Sequence, residues 1–180
     1  MTPAERERAI TSLRDSRDRL FATAEKLSPL QLAYKPAPDR WSVAECIEHI
    51  IVVENSVFGL IQKAIEQPPE AAKSSSEDDA IVATVVDRTQ RAKGPEALMP
   101  ASRWSQDGLL PEFRQVRARS LDFAGSTSAD LRALVVPHRR FGHLDCYQWL
   151  LLIAAHGERH RAQAEEVIAS AEFPRAASAS

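Results

Sequence analysis

A chain of 180 residues has the length of one domain and enough of it to bury a substantial core. Hydrophobic residues make up 44% and charged residues 27%, and a net charge of −2 with both signs interspersed excludes the basic face of a nucleic-acid or anionic-lipid binder. No apolar run reaches the ~20 residues of a membrane helix, and the charged start MTPAERERAI lacks a signal-peptide core, so the expected compartment is the cytoplasm. Cys46 and Cys146 form no CxxC pair and are expected as free, partly buried thiols.

Six glycines, eleven prolines and few alternating β-branched runs point to an all-α chain. Thr2-Pro3-Ala4-Glu5 is a capping box with proline at the first helical position, and Ile10, Leu13, Leu20, Phe21, Ala24 and Leu27 follow at helical period. Ser28-Pro29-Leu30-Gln31 repeats the start signal for one short turn, and Pro36-Ala37-Pro38 forbids its continuation. Ser42-Val43-Ala44-Glu45 opens a second long helix to about Gln67. Val43, Ile47, Ile50, Val57 and Ile61 share one side of it, with Glu54 as the polar exception. Residues 67–80 read as an exposed loop from their Pro, Ser and acidic content. Residues 81–86 have strand composition, but the DRTQRAK that follows favours a short helix ending near Gly94.

A third long helix is expected from about Ser105 to Ala124, carrying Leu109, Leu110, Phe113, Val116 and Leu121. Pro111 fits only a first turn, which moves the start toward Asp107. After GSTSAD, a short helical or extended stretch leads to Val135-Val136-Pro137 and a loop reaching Gly142. Asp145-Cys146-Tyr147-Gln148 opens the last helix, to about Ala171, and 172–180 reads as a disordered tail. Four long helices with a long 67–104 connection make a four-helix bundle, one domain over 1–180. Arg40-Trp41-Ser42 and Arg103-Trp104-Ser105 both stand just before a long helix, with Trp as a plug and Ser as cap. Eight residues after each Trp come His49 and Glu112. That makes Glu112 a candidate carboxylate contact, although shared packing geometry explains the echo more simply.

His156 and His160 lie four apart inside the last helix, which puts both imidazoles on one face with Cβ atoms about 6 Å apart, the spacing of helical zinc sites. The motif is not HExxH: Gly157 follows His156, and Glu158 points to another face, so it supplies no general base. His49 lies on the flank of the second helix's apolar stripe, where a lone histidine reads as a hydrogen-bonded boundary residue. Gln163 shares the face of the histidine pair and can orient a ligand imidazole. Trp149, seven before His156, is a candidate wall of the site or plain core. Glu45, four before His49, is already accounted for by the capping box. His138 and His143 flank a loop that lies about 18 Å along the helix from His156, and they read as loop residues. Three neutral imidazoles leave an ion at least one open position, able to lower the pKa of a bound water or thiol. Cys46, three before His49, keeps a closed four-ligand structural site open as an alternative.

These residues resemble the DinB-like/YfiT-like superfamily of metal-binding four-helix bundles. The resemblance rests on Trp41-Ser42-x-x-Glu45-x-x-x-His49-Ile50 and on residues 137–163, PHRRFGHLDCYQWLLLIAAHGERHRAQ, and the order of capped helices extends it from about residue 5 to 170. It implies that His49, His156 and His160 bind one divalent metal, zinc or nickel. It further implies an enzyme that transfers a low-molecular-weight thiol cosubstrate, such as bacillithiol or mycothiol, to a small-molecule electrophile. A metal-dependent hydrolase and a non-catalytic stress-related binding module with a structural metal are the alternatives. Pairing into a homodimer is implied as well, while charge and hydropathy alone lead to the expectation of neither nucleic acid nor membrane as partner.

Overall fold

The computed structural model describes residues 1–68, 74–89 and 94–175. Four reciprocal capping boxes set helix starts. The side chains of Thr2, Ser28, Ser42 and Asp145 each accept from the backbone N–H three residues on, and Glu5, Gln31, Glu45 and Gln148 return a bond to the cap's own N–H. They open α1 (Pro3–Ala24), α2 (Pro29–Ala33), α3 (Val43–Ile65) and α6 (Cys146–Ile168). Between α3 and α6 come α4 (Asp78–Val86), a 3-10 turn (Glu96–Leu98), α5 (Gln106–Ser126) and the antiparallel pair β1 (Val135–His138) and β2 (Gly142–Asp145).

The four long helices close a ring in the order α1, α6, α3, α5, each packed on the next. That order places α5 opposite α6. α4 packs on the outside of α6, so the first ten residues of α6, Cys146 to Ala155, are buried all round. Arg159 of α6 donates to the carbonyls of Val85 (3.1 Å) and Asp87, tying down the C-terminal end of α4. Among the described residues, no helix is long and apolar enough to cross a membrane.

Several local expectations change. The exposed loop expected over 67–80 ends early, because α4 begins at Asp78 and Ser74 to Ser76 dock on the hairpin. The Ser75 N–H and hydroxyl donate to the carbonyls of His143 (3.0 Å) and Phe141 (2.8 Å), and Gln148 Nε2 donates to the Ser76 carbonyl at 2.7 Å. Polar side chains that read as loop composition are here the docking contacts; residues 69–73 lie outside the described set. The short helix stops at Val86 rather than near Gly94, and Asp87 turns its carboxylate onto the Thr89 N–H at 2.8 Å. Residues 90–93 are not among those described.

The stretch after GSTSAD forms a hairpin that the sequence did not announce. Gly142 has φ +71°, and a Cβ there would stand 2.8 Å from the Ser75 hydroxyl, so both backbone and space require glycine. Pro111 sits at the sixth residue of α5, past the first turn to which it was assigned. Its fixed φ suits the helix, and one lost hydrogen bond near the N-terminus is tolerated in a well-packed element. Ser105 makes no side-chain cap bond, so the echo with Ser42 does not extend to capping. After α6, residues 172–175 are fastened rather than free: Phe173 is 5% exposed and packs edge-on against Tyr34 at 5.6 Å, and the Pro174 carbonyl accepts from Gln31. Residues 176–180 lie outside the described set.

Candidate metal centre

His49 comes from the second turn of α3, and His156 and His160 from the middle of α6, two helices packed side by side. One ring nitrogen from each lies within 4.8 Å of the other two. The ring centroids are 4.5 Å apart for His156 and His160, 4.6 Å for His49 and His160, and 5.0 Å for His49 and His156. His49 and His160 are buried and His156 is partly exposed. Among the described residues, this group contains no cysteine and no carboxylate.

Outer partners fix the tautomers of two rings. His49 Nδ1 lies 2.8 Å from the Leu98 carbonyl, which only accepts, so Nδ1 carries the proton and Nε2 the lone pair. His160 Nδ1 lies 3.0 Å from Gln163 Oε1. Arg88 Nη1, which can only donate, meets the same atom at 3.2 Å and so identifies it as the amide oxygen. His160 therefore also donates from Nδ1 and keeps its lone pair on Nε2.

Burial holds the ring nitrogens neutral. It lowers the His49 pKa against the smaller upward pull of the Leu98 hydrogen bond. It takes His160 down to about 3, helped by the neighbouring His49 and opposed by Gln163. His156 is held well below its ordinary value by desolvation first, then by His160 and His49. Converging neutral imidazoles, with lone pairs directed by outer hydrogen bonds, are the donor set that a divalent ion requires. The residues fit such an ion and leave it at least one open position.

Gln163 stands where helical arithmetic puts it, as the acceptor for a ligand imidazole. The aromatic wall is Trp41, whose ring lies 4.9 Å from that of His49 and stacks on His160 at 5.6 Å and 28°. Trp149, the aromatic offered from the sequence, instead packs in the core with its ring against His138 at 5.1 Å. Trp41 precedes its helix, so counting along helix faces does not reach it. Glu45 is spent on the Ser42 cap and on Lys35 at 3.0 Å. Cys46 stays outside the group, so the closed four-ligand site does not form. Burial pushes its thiol up to about 12. Glu112 is not in the group either; it belongs to α5, opposite α6 in the ring.

His138 accepts the N–H groups of Arg140 and Phe141 at 3.1 and 3.2 Å, capping the hairpin turn. His143 is exposed, and its backbone pairs with Ser75. Both are hairpin residues, apart from the triad. Arg88, which no motif marked, pairs bidentately with Glu166 (2.7 Å on each arm) while reaching Gln163, and Arg40 shares Glu166 Oε2 with it at 3.5 Å.

Comparison with known proteins agrees with this architecture. The chain is similar to the uncharacterized protein YuaE of Bacillus subtilis (strain 168), 28% identical over 142 residues that span 78% of this chain and 85% of that one. Its fold is similar to that of YfiT from Bacillus subtilis, described as a probable metal-dependent hydrolase with an unusual four-helix bundle topology. The TM-score is 0.62 at 13% identity, over 93% of this chain and 88% of that one. The profile of the DinB superfamily matches residues 12–164, which include all three histidines and Gln163, and the chain belongs to that superfamily.

Proposed function

We propose that this protein is a metal-dependent enzyme of the DinB/YfiT type that transfers a low-molecular-weight thiol to a small electrophile. The ligand set carries the proposal: three neutral imidazoles, an open position and, among the described residues, no carboxylate in the converging group. Glu45 is held by its cap and Lys35, Glu54 by Arg117, and Glu158 is held through Oε2 alone by Arg19 and Arg161. Water and thiol must each give up a proton to the solvent to become the nucleophile, but a thiol starts from a pKa of about 8.5 and asks far less of the ion and of any base than water does. A divalent ion, zinc or nickel, supplies the Lewis acidity that lowers the pKa of a bound thiol toward neutrality. The protein's own part is to keep the imidazoles unprotonated, fix their tautomers through Leu98 and Gln163, and wall one side with Trp41.

The description of YfiT as a probable metal-dependent hydrolase supports a second reading, in which the open position serves water. One experiment separates the two. Untagged protein loaded with zinc or nickel is given a chloronitrobenzene or bimane electrophile with and without a small thiol, beside a panel of esters and amides. Metal- and thiol-dependent consumption, lost in His156→Ala, is the expected result. Thiol-independent ester or amide cleavage, equally lost in His156→Ala, would replace the proposal with hydrolysis. No turnover, with a metal that raises only the melting temperature, would leave a structural ion.

A further inference from the structure

We propose that Glu48 and Arg103 are positioning residues of the metal centre, acting on His49 through the strap formed by residues 96–103. The strap offers little regular structure of its own: a single 3-10 turn, then Pro100 and an irregular run into α5. Backbone groups in such a segment must find partners elsewhere. Three of them find Glu48. Its carboxylate, only 4% exposed, accepts the consecutive N–H groups of Ala101 (2.8 Å), Ser102 (3.0 Å) and Arg103 (3.2 Å). Ser102 makes this convergence possible by adopting φ +55°, in the left-handed region that side-chain-bearing residues seldom visit. Successive N–H groups gathered around one anion form a backbone nest, and here the anion is a side chain of the protein.

Arg103 closes the arrangement. Its Nη1 donates to Glu48 Oε1 and to the Met99 carbonyl, both at 2.8 Å, and its Nη2 donates to the Ala97 carbonyl at 3.2 Å. Met99 and Ala97 flank Leu98, whose own carbonyl accepts the His49 Nδ1 proton. Two adjacent residues of α3 thus hold one strap at two points, Glu48 at residues 101–103 and His49 at Leu98. Their side chains leave the helix about 100° apart, so together they fix where the strap lies as well as that it is attached. The orientation and tautomer of His49 follow from where Leu98 is held. Without the Glu48 anchor, the N–H groups of Ala101 to Arg103 lose their acceptor, Arg103 loses its counter-charge, and the Leu98 carbonyl is released from register.

This inference rests on the metal-centre reading, and its test is chosen so that the two can fail separately. Zinc affinity is measured by chelator competition in wild type, Glu48→Gln, Arg103→Gln and, as control, Glu45→Gln. The control removes the Glu45 charge and its ion pair with Lys35 without touching the strap. In parallel, the imidazole tautomers of the apo proteins are read from ¹⁵N–¹H long-range NMR correlations. The expected result is zinc binding weaker by about tenfold in Glu48→Gln and Arg103→Gln, the scale of lost outer-sphere support, with His49 shifting away from the Nδ1–H tautomer. Glu45→Gln, which keeps an acceptor for the Ser42 N–H, should keep both readouts. Binding within twofold of wild type together with an unchanged His49 tautomer, in a folded Glu48→Gln or in the milder Arg103→Gln, would overturn the inference. If wild type itself bound no zinc, the metal-centre reading would fall, and the tautomer readout alone would decide the strap.

Discussion

His160 donates from Nδ1 to Gln163 Oε1 at 3.0 Å, one turn further along α6, and the same oxygen accepts from Arg88. The outer partner of a ligand histidine sets both its tautomer and its aim. Replacing Gln163 by leucine removes the acceptor while leaving a side chain of similar size on the helix. Zinc affinity should fall by about 10–100-fold, the usual range for lost outer-sphere support, with the apo melting temperature little changed. Gln163→Glu keeps an acceptor at the same place and should retain most of the affinity. Chelator competition on the three proteins checks both outcomes.

The bundle also contains a buried ion pair. Arg117 of α5 is 0% exposed and Glu54 of α3 is 1% exposed. Arg117 Nε lies 2.9 Å from Glu54 Oε1 and its Nη2 2.8 Å from Oε2, while Nη1 reaches the Leu13 carbonyl at 2.8 Å and the Ser16 hydroxyl. One guanidinium therefore joins α5, α3 and α1. Arg117→Met strands the Glu54 carboxylate and should cost about 3–5 kcal/mol in denaturant unfolding. The double variant Glu54→Leu with Arg117→Met strands nothing and should recover most of that loss. If the double variant were as unstable as the single, the pair would be doing more than neutralising its own charges.

What the sequence revealed divides along a physical line. Capping boxes are local, and the four at Thr2, Ser28, Ser42 and Asp145 are formed as written. The His156–His160 pair and Gln163 follow from positions on a single helix, so spacing places them together. His49 lies on another helix, and only the resemblance to a family brought it to the pair. Glu54 was visible as an anomaly on an apolar stripe, but α5 carries Arg114, Arg117 and Arg119, and nothing local selects Arg117 as its partner. Arg88, the strap and the place of Trp41 as a wall of the site were illegible for the same reason, although Trp41 itself stood out before its helix. Each takes its place from long-range contacts to α3 or α6, made by segments with no periodicity of their own.

Both cysteines should be chemically quiet in the folded protein. Burial raises the Cys46 thiol to about 12, with Arg88 and Arg40 opposing a little and Glu45 and Glu166 adding a little, and burial with the Asp145 charge raises Cys146 to about 12 as well. The thiolate is the reactive form, so at pH 8 only about one thiol in ten thousand is poised to react, before access is considered. Iodoacetamide followed by mass spectrometry should show almost no label on native protein and two labels after denaturation. Adding zinc should change neither result, because Cys46 is not among the converging ligands. Rapid labelling of Cys46 in the metal-free protein, blocked by zinc, would revive a fourth, thiolate ligand.

Acid stability should depend on the clamp around Arg132. This guanidinium meets Glu5 and Asp78 at 2.7 and 2.6 Å and Asp145 at 2.9 Å, and it lies 4.2 Å above the Tyr147 ring. Burial alone would raise the Asp78 pKa, but hydrogen bonds from Arg132 and Gln148 and the Arg132 charge outweigh it and hold the carboxyl below its ordinary value. Glu5 moves the same way, its burial outweighed by bonds from Thr2 and Arg132. A carboxylate with a lowered folded pKa stabilises the fold above its unfolded pKa, and that stability is lost as pH falls through the lowered value. Asp145 opposes the trend: burial leaves its pKa raised, so its ionisation counts against the folded state as pH climbs past the ordinary carboxylate range. Asp78→Asn should lower stability near pH 7 by about 1–3 kcal/mol, the range for charge-assisted hydrogen bonds, and the gap to wild type should narrow as the pH falls below the ordinary carboxylate range. Urea unfolding of the two proteins at several pH values measures that gap, and a gap that stayed constant with pH would mean that Asp78 contributes through packing rather than through its charge.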